Sequence, residues 1–119
     1  LNPEGWYKRG DVLLIDLDPV RGSEQGKVRP AVVIQNDIAN QYSPVLIVAA
    51  ITSSSRAPHP TDVEVLAPEG GLRKDSKILL NRIRTVDKIR VIDRWGHLSD
   101  EIMSKVDEAL KISLGLVPV

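Results

Sequence analysis

Arg29, with Pro30 after it, is the first place in this sequence where residue types and spacing offer chemistry. The stretch Asp18-Pro19-Val20-Arg21-Gly22-Ser23-Glu24-Gln25-Gly26-Lys27-Val28-Arg29-Pro30 precedes the apolar run Ala31-Val32-Val33-Ile34. A connection this long and polar exceeds what strand pairing needs, and such loops often carry function. Pro30 confines the residue before it to extended backbone and lacks a donor itself, so Arg29 is expected to be fixed at a strand entrance. If strands over 30–35 and 45–52 pair antiparallel through the short 36–44 connection, the start of one lies beside the end of the other. Arg29 then comes close to Thr52. A guanidinium, a hydroxyl and a glycine-rich loop suit a phosphate, because arginine offers a bidentate fork and such loops expose backbone amides. The residues alone leave an alternative open, in which Arg29 is salt-bridged to Glu24 and Thr52 merely ends a strand.

Other chemistries find less support. Arg9-Gly10-Asp11 matches an adhesion tripeptide, but in a chain without cysteine it reads more simply as a turn into the first strand. Gly26-Lys27 invites a phosphate-loop reading, which fails because Val28, not Ser or Thr, follows the lysine. Asp16 and Asp18 share a strand face, yet two carboxylates alone make a weak metal site. His59 stands between Pro58 and Pro60 in an expected loop, and His97 in a turn before the last helix. Both are read as surface histidines, and no metal or cofactor is expected.

The elements that must position Arg29 and Thr52 are short and β-rich. Strands are expected over residues 12–17, 30–35, 45–52, 63–66, 78–86 and 91–95, separated by Pro, Gly, Asn and Ser, with one helical turn over 36–40. The end of the chain changes period. Ile102, Val106, Ala109, Leu110, Ser113 and Val117 fall at helical spacing, with Ser99 as N-cap and Asp100 and Glu101 in the first turn. Leu98 and Met103 are placed to staple the helix start, and Gly115 and Pro118 to stop it. The expected fold is mainly β with helices (α+β): a small barrel or sandwich with a C-terminal helix packed over it.

Bulk properties are consistent with that. A chain of 119 residues is one domain's worth, with little room for a second core. With 42% hydrophobic and 27% charged residues it is an ordinary globular composition, which excludes disordered and collagen-like classes. The longest apolar run, residues 45–51, falls far short of the roughly 20 residues a membrane helix requires. The start lacks the features of a signal peptide, and the absence of cysteine fits the cytoplasm. Leu1 in place of Met suggests a trimmed or engineered start, so residues 1–7 are set apart as a flexible or added beginning of a single 1–119 domain. Sixteen basic and sixteen acidic residues cancel. Residues 53–97 carry nine Lys/Arg against six Asp/Glu, which makes a basic patch possible there, although a solvated mixed-charge surface is the simpler reading.

Taken in order, several short pieces of the sequence resemble the MazF/PemK family of toxin endoribonucleases. They are Arg9-Gly10-Asp11-Val12, Gly22-Ser23-Glu24-Gln25-Gly26 with Arg29-Pro30, Ala49-Ala50-Ile51-Thr52, Asp75-Ser76, Ile78-Leu79-Leu80 and Ile83-Arg84-Thr85. With the C-terminal helix, the likeness spans nearly everything from Lys8 to Leu116. The resemblance implies an SH3-like β-barrel, a homodimer, inhibition by a cognate MazE-like antitoxin, and metal-independent cleavage of single-stranded RNA. The implied products are a 2′,3′-cyclic phosphate and a 5′-hydroxyl. The family's catalytic Arg and Thr fall on Arg29 and Thr52, its loop Ser and Glu on Ser23 and Glu24, and a Ser that holds RNA on Ser76. Asn81-Arg82 replaces the Glu-Gln that relatives carry before Ile-Arg-Thr, so the recognised RNA sequence does not transfer.

Such cleavage uses the RNA's own 2′-hydroxyl as nucleophile. Deprotonating a guanidinium at neutral pH costs roughly 7 kcal/mol, so Arg29 is expected to stabilise charge, with a second role as acid, while Glu24 or water takes the proton. Thr52 is expected to donate a further hydrogen bond. With four aromatic residues (Trp6, Tyr7, Tyr42 and Trp95), base contacts are assigned to arginine planes, Gln25 and Arg82, and Trp95 to the core or a dimer contact. The rival readings are a toxin of the same fold that binds DNA gyrase without cutting RNA, and an RNA-binding module that has lost cleavage.

Overall fold

The computed structural model describes residues 5–17 and 28–118. Ser23, Glu24 and Gln25, singled out above, lie outside the described residues. Among the described residues six strands form: β1 (Asp11–Asp16), β2 (Val28–Val33), β3 (Val45–Thr52), β4 (Asp62–Val65), β5 (Ser76–Asp87) and β6 (Val91–His97). A short helix, α1 (Asp37–Tyr42), joins β2 to β3, and Asn36 caps it by accepting from the Ala39 N–H at 2.8 Å. The last helix is α2 (Asp100–Ser113), capped by Ser99, with Asp100 and Glu101 where the helix dipole favours negative charge. It ends as expected at Gly115. The Leu116 N–H returns to the Lys111 carbonyl and the Gly115 N–H to the Ile112 carbonyl, a Schellman turn that needs the positive φ of 74° at Gly115.

Two 3-10 turns, Glu69–Gly71 and Lys88–Arg90, were not expected from periodicity or turn residues. The first of them packs across the open seam of the sheet. The sheet runs in the order β4-β5-β3-β2-β1-β6, so β4 and β6 are edges and the ladder itself is open. The Glu69–Gly71 turn packs backbone to backbone against the end of β6. A Cβ on Gly96 would sit 2.7 Å from the Gly70 carbonyl, and one on Gly71 would overlap the Trp95 carbonyl. The expected SH3-like barrel is therefore a rolled six-stranded sheet with an open ladder, and the glycine turn packs across its seam.

Two apolar clusters form where chain length alone suggested one. Alternate side chains of β1 and β2 point to opposite faces. Val12 and Val32 join Ile51, Ile78 and Leu80 beneath Met103, Val106 and Ala109 of α2. Leu13, Ile15, Ala31 and Val33 join Leu46, Val48 and Val86 on the other face, closed by Tyr7 and Val91. Leu98 and Met103, expected to staple the helix, lie in the first cluster. Burying each such aliphatic side chain contributes roughly 1.5–3 kcal/mol, so β1 and β2, covered on both sides, form the rigid centre of the molecule. No helix among the described residues is long and apolar enough to cross a membrane.

Candidate active site

Arg29 sits on the second residue of β2, where Pro30 holds it extended, and it pairs across to Ile15 of β1. On its other side β2 pairs with β3 at Ala31↔Ala50, Val32↔Ala49 and Val33↔Val48. Continuing that register by two residues places Arg29 opposite Thr52, as the antiparallel argument required. The two residues line two neighbouring cavities together. Arg29 is exposed and makes no hydrogen bond or ion pair with another described residue, so its guanidinium fork is uncommitted there. Thr52 Oγ1 accepts from the Ser54 N–H at 3.2 Å. That contact occupies a lone pair and leaves the hydroxyl proton to donate to whatever lies beside Arg29.

The first cavity, about 210 Å³, is lined by Arg29, Pro30, Thr52, Arg73, Ser76 and Trp95 among others. Ser76 is thus brought to the site, but its hydroxyl proton is already given to the Lys74 carbonyl at 2.7 Å. It can therefore only accept from a ligand. Trp95 packs partly against the core, as expected, and carries the Arg73 guanidinium 4.4 Å above its ring. The same ring also forms a wall beside Arg29, which the sequence did not indicate.

The second cavity, about 490 Å³, is lined by Arg29, Thr52, Ser54, Arg56, Leu79 and Arg82 among others. Arg82 reaches it because β5 is irregular. Ala50 pairs with Leu79 but the adjacent Ala49 pairs with Ile83, so Leu80, Asn81 and Arg82 have no counterpart on β3. Such a bulge bends a strand and re-aims its side chains. Residues 76–80 are all buried, whereas Asn81 and Arg82 are exposed. Arg56, which sequence reasoning missed, is fixed by Asp62 through Nη1–Oδ2 at 3.0 Å. Burial pushes the Asp62 carboxyl up, but hydrogen bonds from the His59 N–H and Arg56 outweigh it and hold the group below the usual carboxylate range. The loop between β3 and β4 is tied again by Lys77, whose buried Nζ donates to the Ser54 carbonyl at 2.8 Å.

The two histidines stay apart from this site. Neither lines the cavities beside Arg29. His59 is exposed, its backbone N–H held by Asp62 at 2.9 Å. His97 is more than a surface residue in a turn, because it ends β6 with Nδ1 2.8 Å from Oδ1 of Asp11. Asp11 is fully buried and also accepts from Arg94 Nε at 3.1 Å, Arg94 Nη2 at 3.2 Å and the Lys8 N–H at 2.9 Å. Burial raises its pKa, and the hydrogen bonds from Arg94, Lys8 and His97 overcome that and hold it below the ordinary range. Arg9 bonds the Ile34 carbonyl and Asp107, so the tripeptide Arg9-Gly10-Asp11 locks β1 to β6, β2 and α2. Among the described residues, no three His, Cys, Asp or Glu side chains gather as metal ligands would.

Comparisons with known proteins bear on the family and the fold. The family described as PemK-like, MazF-like toxin of type II toxin–antitoxin system matches residues 8–114. Endoribonuclease EndoA of Bacillus subtilis (strain 168) is 60% identical over 111 residues, covering 92% of this chain and 96% of that protein. Among solved structures, an endoribonuclease in complex with its cognate antitoxin from Mycobacterial species superposes with a TM-score of 0.79 at 22% identity, covering 95% of this chain and 99% of that one. A MazE–MazF structure from Deinococcus radiodurans gives a TM-score of 0.78 at 22% identity, covering 93% and 97%. The latter two speak for the fold, and the family match and the 60% relative go further: the chain belongs to the PemK-like, MazF-like toxins of type II toxin–antitoxin systems.

Proposed function

We propose that this chain, an endoribonuclease toxin of a toxin–antitoxin system, cuts single-stranded RNA at the Arg29–Thr52 edge without a metal ion. In that reaction the 2′-oxygen bonds to the adjacent phosphorus while the bond from phosphorus to the 5′-oxygen breaks. The 2′-proton passes to Glu24 or to water. A cyclic phosphate and a 5′-hydroxyl result. Arg29 and Thr52 supply hydrogen bonds to the phosphoryl oxygens as negative charge builds, which is the kind of preorganised donation that contributes most to such reactions. The cost of deprotonating a guanidinium makes Arg29 a donor to the leaving oxygen, with solvent completing the proton transfer.

The observation that carries this reading is an Arg29 guanidinium with no partner among the described residues, set opposite a threonine whose hydroxyl oxygen accepts from the Ser54 N–H and keeps its proton to donate. Ser23 and Gln25 belong to the same reading as RNA contacts, together with Ser76 as an acceptor and Arg82 at the bulge. A homodimer, a cognate MazE-like antitoxin and a cytoplasmic site of action, where RNA is met, belong to it as well. The chain selects a sequence of its own, since Asn81-Arg82 stands where relatives carry Glu-Gln.

The test is to incubate purified protein with mixed-sequence RNA in EDTA beside Arg29→Ala and Glu24→Gln. Cleavage by the unaltered chain and not by Arg29→Ala is expected. No cleavage, with gyrase bound instead, overturns the reading in favour of a non-enzymatic toxin of this fold. A full single-turnover rate in Glu24→Gln removes the carboxylate as base and leaves water.

A further inference from the structure

The loop between β3 and β4 carries a cation that the cleavage step does not use. Arg56 lines the 490 Å³ cavity with Arg29 and Arg82, and its side chain is 35% exposed. Its contacts are lopsided. The end-on pair of nitrogens faces Asp62, with Nη1 3.0 Å from Oδ2 and Nη2 3.4 Å from Oδ1. A further Nη1–H reaches the Ala57 carbonyl at 3.1 Å. A guanidinium has five N–H bonds in a fixed plane, so these contacts leave Nε–H and one Nη2–H, which lie parallel on the side edge. That edge has no partner among the described residues, and its spacing matches two oxygens of a phosphate.

The loop itself is anchored independently at three points. Lys77 Nζ, on a residue only 7% exposed, donates to the Ser54 carbonyl, the Ser54 N–H donates to Thr52 Oγ1, and the Arg56 N–H donates to Ser54 Oγ at 3.3 Å. Thr52 and Arg56 are thus set by one continuous chain of hydrogen bonds. We infer that Arg56 binds a phosphate of the RNA next to the one being cut, and that Asp62 is the positioning residue that aims it. This rests on the reading of the chain as an RNA-cutting toxin. It adds a second anchoring point, four residues along the chain from Thr52, on which the substrate backbone is registered against Arg29. Asp62 offsets part of the charge of Arg56, so its contribution is orientation more than attraction.

The test measures binding of a mixed-sequence 2′-O-methyl RNA oligonucleotide, which lacks the attacking hydroxyl and survives intact, as a function of salt. Arg56→Ala is expected to weaken binding about tenfold, as the loss of a charge-assisted hydrogen bond does. It should also shrink the slope of log affinity against log salt by about 0.7, the value for one single-strand phosphate contact. Arg56→Lys should recover the slope and not the affinity, because an ammonium has no fork. Asp62→Ala should weaken binding although it removes a negative charge. Unchanged affinity and slope in Arg56→Ala overturn the proposal, and tighter binding by Asp62→Ala reduces Arg56 to a general attraction and overturns the positioning role. Cleavage of unmodified RNA is scored with the same preparations. Failure of the unaltered chain to cut would count against the proposed activity, while the binding arm still judges Arg56.

Discussion

The two ends of the β1–β2 pair use arginine and carboxylate in opposite ways. At the end where β1 begins, Asp11 is buried and receives Lys8, Arg94 and His97, while Arg9 beside it is spent on Ile34 and Asp107. At the end where β2 begins, Arg29 is exposed and uncommitted among the described residues, beside a threonine with a proton to give. The first end joins strands that are far apart in sequence. The second presents donors to a cavity. The same side-chain chemistry thus serves cohesion where its hydrogen bonds close internally, and binding where they stay open.

The largest expected effect breaks the open end alone. Arg29→Ala should lower the single-turnover cleavage rate by about 10²- to 10³-fold, worth roughly 2.7–4 kcal/mol, and leave the urea midpoint within error of the unaltered chain. A large loss of stability in that variant would mean that Arg29 is structural and that the contrast between the two ends is false.

Asp11→Ala is the mirror image. Removing a buried carboxylate strands Arg94, His97 and the Lys8 N–H, and should cost about 3 kcal/mol in urea unfolding, while cleavage at a temperature where the variant is folded stays within threefold. Acid should show the same dependence. The folded-state pKa values of Asp11 and Asp62 are depressed, so the unfolded chain takes up these protons first as pH falls below about 4. Stability from these groups is therefore complete above the ordinary carboxylate pKa and lost as pH drops through the folded values. Asp11→Asn should flatten that acid limb. An unchanged limb would show that the closed end does not hold its charge as described.

At the open end, Thr52→Val keeps shape and removes the donor. A hydrogen bond to a charged group contributes roughly 1.5–3 kcal/mol, so a 10- to 100-fold loss of rate is expected, with RNA affinity nearly unchanged. A Val variant that cuts at full speed would leave Arg29 without its opposite donor and would put the reacting phosphate elsewhere in the cavities.

The difference between the two ends also accounts for what the sequence made legible. Residues 45–52 and the helix after Ser99 were readable because period, caps and Val/Ile enrichment are local signals. The Arg29–Thr52 meeting was readable because an antiparallel pair with a short connection fixes its own register. The Asp11 hub was not, since Arg94 and His97 lie more than 80 positions away and nothing near Asp11 announces them. Arg56 was missed for a related reason. Its partner Asp62 is close in sequence, but only the path of the loop tells that the pair faces a cavity. The seam turn Glu69–Gly71 was invisible because its glycines matter for the strand they touch and not for the turn they make. Ser23, Glu24 and Gln25 lie outside the described residues and rest on the resemblance, with Glu24→Gln as the variant that tests the carboxylate.

The smallest expected effect bears on the histidines, which are the residues a nuclease would most readily employ. His97 touches only the closed end, with about half of its side chain in solvent, so the contact with Asp11 is discounted for screening. His97→Gln should cost about 0.5 kcal/mol of stability and leave the cleavage rate within twofold. His59→Ala should change neither, because that residue's tie to Asp62 runs through its backbone N–H, which alanine keeps. The double variant should cut RNA with an unaltered pH profile between 5 and 8, the range in which an ordinary imidazole titrates. A profile that lost a limb in this range would mean that a histidine reaches the phosphate in the working enzyme. It would also mean that the closed end takes part in the chemistry, and the division between cohesion and binding along β1 and β2 would have to be abandoned.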